Sequence, residues 1–339
     1  MNMPPPDPLA AERVLVTGAT GFVGRHIVQR LCTGSSQVRA LVRRAPSKGF
    51  DPSVQVFVGD LHQPESYAPA LDGVSTVVHA GLTDNLSGEP AATSTLLRLS
   101  AGAGARKFVH LSSIAVYGNP PAQTVTEETP PVPSSDTYSR TKLAIEDALR
   151  EPPMGVEIVV LRLGCVYGPG GGWWTEGLLS QMRTGRLILV NQGAGTANLV
   201  HVSDVGSIVA LLLRRVGPPF EIFNVTDGAP VAWRHYFAEL EKIVGRKATV
   251  SMSEAEAREH GRKWMRPSFA RRIIRKLTGT PIIYPLDGRG IENFASRTVY
   301  KNEKAATVLN FAPEYNLESG MRTVDSRLPS CPPSGLTAH

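Results

Sequence analysis

Val14-Leu15-Val16-Thr17-Gly18-Ala19-Thr20-Gly21-Phe22-Val23-Gly24 is the stretch that decides the fold. A short apolar run ends in glycines and passes into the amphipathic segment Phe22 to Cys32, which reads as strand, tight turn and helix. Further apolar runs follow at Val38 to Val42, Val54 to Val58, Thr76 to His79, Lys107 to Leu111 and Glu157 to Leu161. Helical patterns separate most of them, notably Thr93 to Ala101 and Tyr138 to Leu149. Apolar strands alternating with helices predict an α/β fold: a doubly wound parallel sheet of the Rossmann type, covered on both faces.

That frame gives the glycines a task. Gly18 and Gly21 let the backbone turn sharply and approach a pyrophosphate, Gly24 lets the helix pack on the sheet, and the helix N-terminus offers free N–H groups to an anion. Alone, the pattern is a tight turn; between a strand and a helix at the head of an alternating series it marks a dinucleotide site. Gly18, Thr20, Gly21, Phe22, Val23 and Gly24 are its expected contacts. At the end of the second strand an acidic residue suits the ribose hydroxyl of NAD, whereas arginine suits the 2′-phosphate of NADP. Here Arg43 and Arg44 follow Val42 and no acid appears until Asp51. Paired guanidiniums suit a phosphate dianion, so NADP(H) is favoured over NAD(H). Asp60 and Leu61 after the third strand, and Ala80 and Gly81 after the fourth, are further expected contacts.

Tyr138-Ser-Arg-Thr-Lys142 places a phenol and an ammonium at i and i+4 on one helix face. A phenol titrates near ~10 in isolation, and a neighbouring ammonium favours its phenolate. The pair can then give a proton to a carbonyl oxygen, or take one from an alcohol, while a cofactor moves hydride. Ser113 closes the strand before it, at the carboxyl edge where a hydroxyl faces the cofactor crevice and can steady developing charge on a substrate oxygen. Either motif alone is ordinary: YxxxK is a common helix surface, and a strand-end serine is a common cap.

Together these residues make the chain resemble an extended short-chain dehydrogenase/reductase, the branch that includes nucleotide-sugar epimerases and dehydratases, dihydroflavonol reductases and 3β-hydroxysteroid dehydrogenases. The likeness covers residues 13 to 225 and fades to about 327. It rests on TGATGFVG (17–24), GDL (59–61), VVHAG (77–81), LSSIAVYG (111–118), YSRTK (138–142), LRLGCVYGPG (161–170) and HVSDV (201–205). It implies Tyr138 as acid/base, Lys142 as its partner and ribose anchor, Ser113 as orienter, and Leu163, Cys165 and Val166 beside the nicotinamide. It also implies a homodimer. The chain departs from the family at three places. Glu89-Pro-Ala-Ala-Thr93 stands where the family's NVxGT segment carries a helix asparagine, after a short connection from Gly81. Gly195 to Val200 lacks the arginine that grips a diphosphate in nucleotide-sugar enzymes. Gly164-Cys165 replaces the asparagine common before VYGP in those enzymes.

Beyond Gly168 the rhythm changes. Pro169 to Trp174 reads as a loop, with the chain returning to the sheet near Ala197 to His201 and Phe220 to Asn224. The domain expectation is a leader over 1–12, a dinucleotide-binding domain over 13–170 with returning segments at 197–225, an irregular substrate cap over 171–196 and 226–328, and a disordered tail over 329–339. Trp173 and Trp174 form either an aromatic wall against the substrate or part of the cap core. Ser113 and Tyr138 complete the expected substrate contacts.

Composition narrows the rest. The 339 residues carry a net charge of +6, and eight of the 36 Lys and Arg, against one acid, fall within 258–276. A chain neutral apart from one basic segment is not patterned for nucleic acid. That segment reads as a cap helix with a solvated basic side, or as a docking site for an acidic partner, an anionic substrate or an anionic surface. No apolar run is long enough to cross a bilayer. Cys32, Cys165 and Cys331 show neither a disulfide nor a zinc pattern, so no metal and a cytoplasmic setting are expected. The leading expectation is an NADP-dependent interconversion of a ketone and a secondary alcohol on a small, non-nucleotide substrate. The rivals are a nucleotide-sugar epimerase or dehydratase that recycles its hydride, and a cofactor-binding sensor or scaffold without chemistry.

Overall fold

The computed structural model describes residues 12–34, 36–45, 49–118, 120, 124–132, 136–265 and 281–325. Alternating elements follow the apolar periodicity closely: β1 (Arg13–Thr17), α1 (Phe22–Cys32), β2 (Gln37–Val42), β3 (Gln55–Val58), α2 (Pro64–Tyr67), β4 (Thr76–His79), α3 (Glu89–Gly102) and β5 (Lys107–Ser113). The short β6 (Thr124–Val125), α4 (Thr137–Ala148), β7 (Glu157–Leu163) and β8 (Cys165–Tyr167) come next, then β9 (Gly185–Val190), β10 (Thr196–Ala197), β11 (Leu199–His201) and β12 (Phe220–Val225).

Seven strands form one sheet in the order β12-β7-β5-β4-β1-β2-β3, all pairs parallel. Strand order reverses beside β1, so the crevice at the carboxyl ends of β1 and β4 is the topological switch point where such sheets bind ligands. Because successive strand residues face opposite sides, Val14 and Val16 pack with Ile27, Val28 and Leu31 of α1 and with Val205, Ile208 and Val209 of the helix Val202–Leu213. Leu15, Val77, Phe108 and Val160 pack on the other side with Leu96 and Leu97 of α3 and Ile145 of α4.

The return to the sheet differs from expectation. Phe220 to Val225 does join it, beside β7, but β10 and β11 do not. β11 pairs with β8, and β10 with Val231–Ala232, because Gly164 breaks the line of β7 and redirects the chain against Asn198, whose carbonyl accepts from Cys165 N at 2.7 Å. Nor is Pro169 to Trp174 simply a loop: Gly172–Gly177 is one wide helical turn, tied by Glu176 N to Gly171 O. A separate apolar cluster joins this turn, β9 and the helices Trp233–Val244 and Gly288–Ala295, with Trp233, Phe237 and Phe294 at its centre.

The leader expectation falls almost wholly outside the described residues; Glu12, its last residue, accepts from Gln37 N at 2.8 Å and belongs to the sheet edge. The tail 329–339 and residues 266–276 of the basic segment, with Cys331, also lie outside them. The described part of that segment lies on the helix Glu254–Met265, where Arg262 and Lys263 pair with Glu259, and Arg258 with Glu292. No described helix is long and apolar enough to cross a membrane.

Candidate active site

The glycine turn occupies the switch point. Gly18 has φ +63°, the left-handed region that glycine enters freely. A Cβ there would lie 2.7 Å from Gly81 Cα, so β1 and β4 approach backbone to backbone at this edge. A Cβ on Gly24 would lie 2.2 Å from Gly18 O, which is why the helix can sit tight under the turn. α1 begins at Gly21 with no side-chain cap and no acid in its first turn, leaving the N–H groups around Phe22 and Val23 to an outside anion. Exposed Thr20 flanks them. These features fit a dinucleotide: a cradle that side chains would fill, roofed by an uncapped helix end.

Arg43 and Arg44 are exposed at the bend after β2, without a side-chain partner among the described residues. Asp60 caps its own turn by accepting from His62 N at 2.9 Å, and buried Leu61 lies where a Cβ on Gly81 would touch it, at 3.2 Å. Ala80 precedes that glycine. Leu163 pairs in register with Ser113 at the carboxyl end of the sheet, and Cys165 and Val166 continue beyond it. Burial raises the Cys165 thiol to about 12, so it stays protonated and unreactive.

Ser113 closes β5 beside the first turn of α4, which carries Tyr138 with Lys142 one turn further on. Asp136 starts α4 by accepting from Ser139 N at 2.6 Å, which fixes Tyr138 in the first turn. Ser113 ends β5 and caps the following turn through Ala115 N, and its side chain is among the groups that pull the Tyr138 phenol down. The cap reading of Ser113 is therefore met. Burial holds the Tyr138 phenol above its usual range, opposed by Ser113 and the charge of Arg289. Lys142 is buried and donates from Nζ to Leu111 O at 2.8 Å. Burial lowers its ammonium to about 8, with Glu89 and Glu146 holding it up. Glu146 continues the same helix face and is itself locked by Arg162 at 2.6 Å and Ser112 at 2.5 Å. His79 and His110 lie side by side in register on β4 and β5, and burial keeps both neutral, His79 at about 3.

Two features escaped the sequence reading. Arg289, from the helix Gly288–Ala295, pairs with Asp136 at 2.6 Å and lies 5.5 Å from the Tyr138 ring centre. Asp287 starts that helix by accepting from Gly290 N, and nothing local in the sequence says what the following side chains face. Glu89 was noted for what it replaces, yet it is wholly buried and a source of the field on Lys142. The tryptophan alternatives divide: Trp174 stacks on Trp233 at 5.3 Å and edges Phe294, in the cap core, while Trp173 stands 47% exposed.

A sequence model of the NAD dependent epimerase/dehydratase family matches residues 14–226. The chain is 29% identical over 251 residues to a 4-hydroxy-2-methyl-3-oxo-4-farnesyl-3,4-dihydroquinoline-1-oxide ketoreductase of Stigmatella aurantiaca, covering 70% of this chain and 75% of the relative. It is 28% identical over 253 residues to a UDP-glucose 4-epimerase of Vibrio cholerae, covering 68% and 75%. Among solved structures, a UDP-glucuronic acid 4-epimerase from Bacillus cereus in complex with NAD superposes with a TM-score of 0.69 at 21% identity, covering 93% and 96%.

Proposed function

Since the chain belongs to the NAD dependent epimerase/dehydratase family, an NAD(P)-dependent enzyme family of short-chain dehydrogenase/reductase type, we propose that it interconverts a ketone and a secondary alcohol on a small organic substrate, with NADP(H) as cofactor. The observation that carries the reading is the placement of Ser113 at the end of β5, Tyr138 in the first turn of α4 and buried Lys142 one turn on, at the same sheet edge as the glycine cradle. When bound, the nicotinamide cofactor supplies or accepts the hydride. Gly18, Thr20, Gly21, Phe22, Val23, Gly24, Ala80 and Gly81 line its diphosphate side in this reading. Asp60 and Leu61 face the adenosine, Arg43 and Arg44 hold the 2′-phosphate, and Leu163, Cys165 and Val166 flank the ring. Ser113 donates to the substrate oxygen and steadies the charge that gathers there. Tyr138 delivers the proton in reduction and removes it in oxidation, and Lys142 stabilises the phenolate between those events.

Support for a substrate without a nucleotide handle comes from β10 and β11. The segment presents no cation, and Asn198 is occupied by Thr298 O and Tyr300 N, each at 3.0 Å. Arg289, a cation beside Tyr138, favours the second reading, a nucleotide-sugar epimerase or dehydratase that recycles its hydride. The two separate in one assay: loss of reduced-cofactor absorbance with a panel of ketones, against turnover of UDP-sugars with none. Homodimerisation, a cytoplasmic setting and the domain division at residues 170, 196 and 225 belong to this proposal too, the first tested by light scattering.

A further inference from the structure

Resting on the reading above, we propose that Glu89 and His62 are positioning residues forming the proton exit of the active site, a hydrogen-bonded line that starts at Glu89, whose charge bears on buried Lys142, and runs through Thr83 and His62 to solvent. The need for such a line follows from burial. Each reduction consumes one proton: the hydride adds to the carbonyl carbon, the C=O π pair moves onto oxygen, and that oxygen takes the Tyr138 proton. The Lys142 ammonium restores Tyr138, and Lys142 must then recover a proton from bulk water. Oxidation runs the same path outward. Lys142 has no solvent of its own.

The groups facing Lys142 leave one route among the described residues. On β4 and β5, His79 and His110 are neutral and buried, His79 held between Thr17 Oγ1 at 2.7 Å and Thr93 Oγ1 at 3.1 Å. On α4 itself, Glu146 is clamped by Arg162 and Ser112. From the start of α3, just after the loop that meets α4 where Thr141 Oγ1 donates to Leu86 O, comes Glu89. Its side chain is 0% exposed, yet Oε2 has no partner among the described residues, an arrangement that costs free energy unless a polar group meets it there. Oε1 accepts from Thr83 N at 2.9 Å and from Thr83 Oγ1. Thr83 Oγ1 lies 3.0 Å from His62 Nε2, which is also 3.6 Å from Glu89 Oε1. The His62 side chain is 27% exposed, so the line ends in water. Glu89 thus couples a charge that steadies Lys142 to the one half-exposed imidazole in reach.

Two measurements test this. In the full chain without ligand, the Lys142 side-chain resonance, assigned by its loss in Lys142→Met, is titrated in wild type and Glu89→Gln. The midpoint should fall by about one unit, a roughly tenfold loss of proton affinity, when the facing carboxylate is neutralised. An unchanged midpoint overturns the coupling, whatever the substrate proves to be. For the exit, His62→Ala, at a half-exposed site that tolerates truncation, should lower kcat without raising KM for the ketone, and added imidazole should restore it. A kcat equal to wild type, or a loss that imidazole leaves untouched, overturns the exit. Absence of any ketone turnover in wild type instead counts against the proposed function, and the titration still decides the role of Glu89.

Discussion

Replacing Arg43 and Arg44 by alanine should separate the two nicotinamide cofactors. Both guanidiniums project into solvent at the end of β2 and hold nothing else in the described structure, so their removal should leave the fold intact, within about 0.5 kcal/mol. A hydrogen bond to a charged group contributes roughly 1.5–3 kcal/mol, and solvent screening places exposed pairs at or below the lower end. At about 1.4 kcal/mol per tenfold, each arginine accounts for roughly a factor of ten in NADP affinity. The double variant should lose between about tenfold and a hundredfold, less than additive since the two neighbours share one phosphate. NAD affinity, with no 2′-phosphate to lose, should stay within about twofold, well under the same tenfold step. Calorimetric titration of wild type and the double variant with NADP and NAD, at low and high salt, measures this. The NADP loss should shrink as salt rises. Equal weakening of both cofactors, or no change in either, would refute the assignment of these arginines to the 2′-phosphate.

Other expected outcomes follow from packing and burial. Gly24→Ala drives a methyl into Gly18 O, backbone against backbone, and should cost roughly 1–3 kcal/mol and weaken both cofactors alike, read by thermal melts with and without NADP. Trp174→Ala opens the cap core and should cost roughly 2–4 kcal/mol, whereas Trp173→Ala, already exposed, should move the melting temperature little. Burial, with Asp204 nearby, raises Asp227 from 3.8 to about 7. The folded state therefore keeps a proton that the unfolded chain releases, so this contribution is full below about pH 4 and fades as pH rises through 7. Asp227→Asn should flatten that decline, gaining melting temperature on wild type at pH near ~8 relative to pH near ~5, on either side of the native titration; a parallel shift at both would contradict it.

The sheet was legible because a buried parallel strand carries a short apolar core, as in Val14–Val16, Val77–Val78, Phe108–Val109 and Ile158–Leu161. The glycine turn was legible because only glycine meets its steric demands, as Gly18 against Gly81 and Gly24 against Gly18 make plain. Tyr138 and Lys142 share a helix face, so their association is written in their spacing. What stayed hidden is long-range. Arg289 reaches Asp136 from 153 positions along the chain, and no local pattern reports that meeting. β10 and β11 looked like sheet strands because pairing in a small ribbon demands the same apolar residues as pairing in the main sheet. The tryptophan pair could not be divided by sequence, since a wide helical turn and a loop place adjacent rings on different sides for different reasons.

In the proposed reaction Tyr138, steadied by Ser113 and Lys142 at the glycine-lined sheet edge, gives its proton to a carbonyl while hydride moves from NADPH. The most direct test supplies NADPH deuterated at the transferring position with a panel of ketones and follows the label by mass spectrometry. Deuterium should appear on the carbinol carbon of an alcohol product with wild type, and none with Tyr138→Phe, although that variant still binds NADP. Label transfer undiminished in Tyr138→Phe, or turnover of a nucleotide sugar with no label leaving the cofactor, would contradict it.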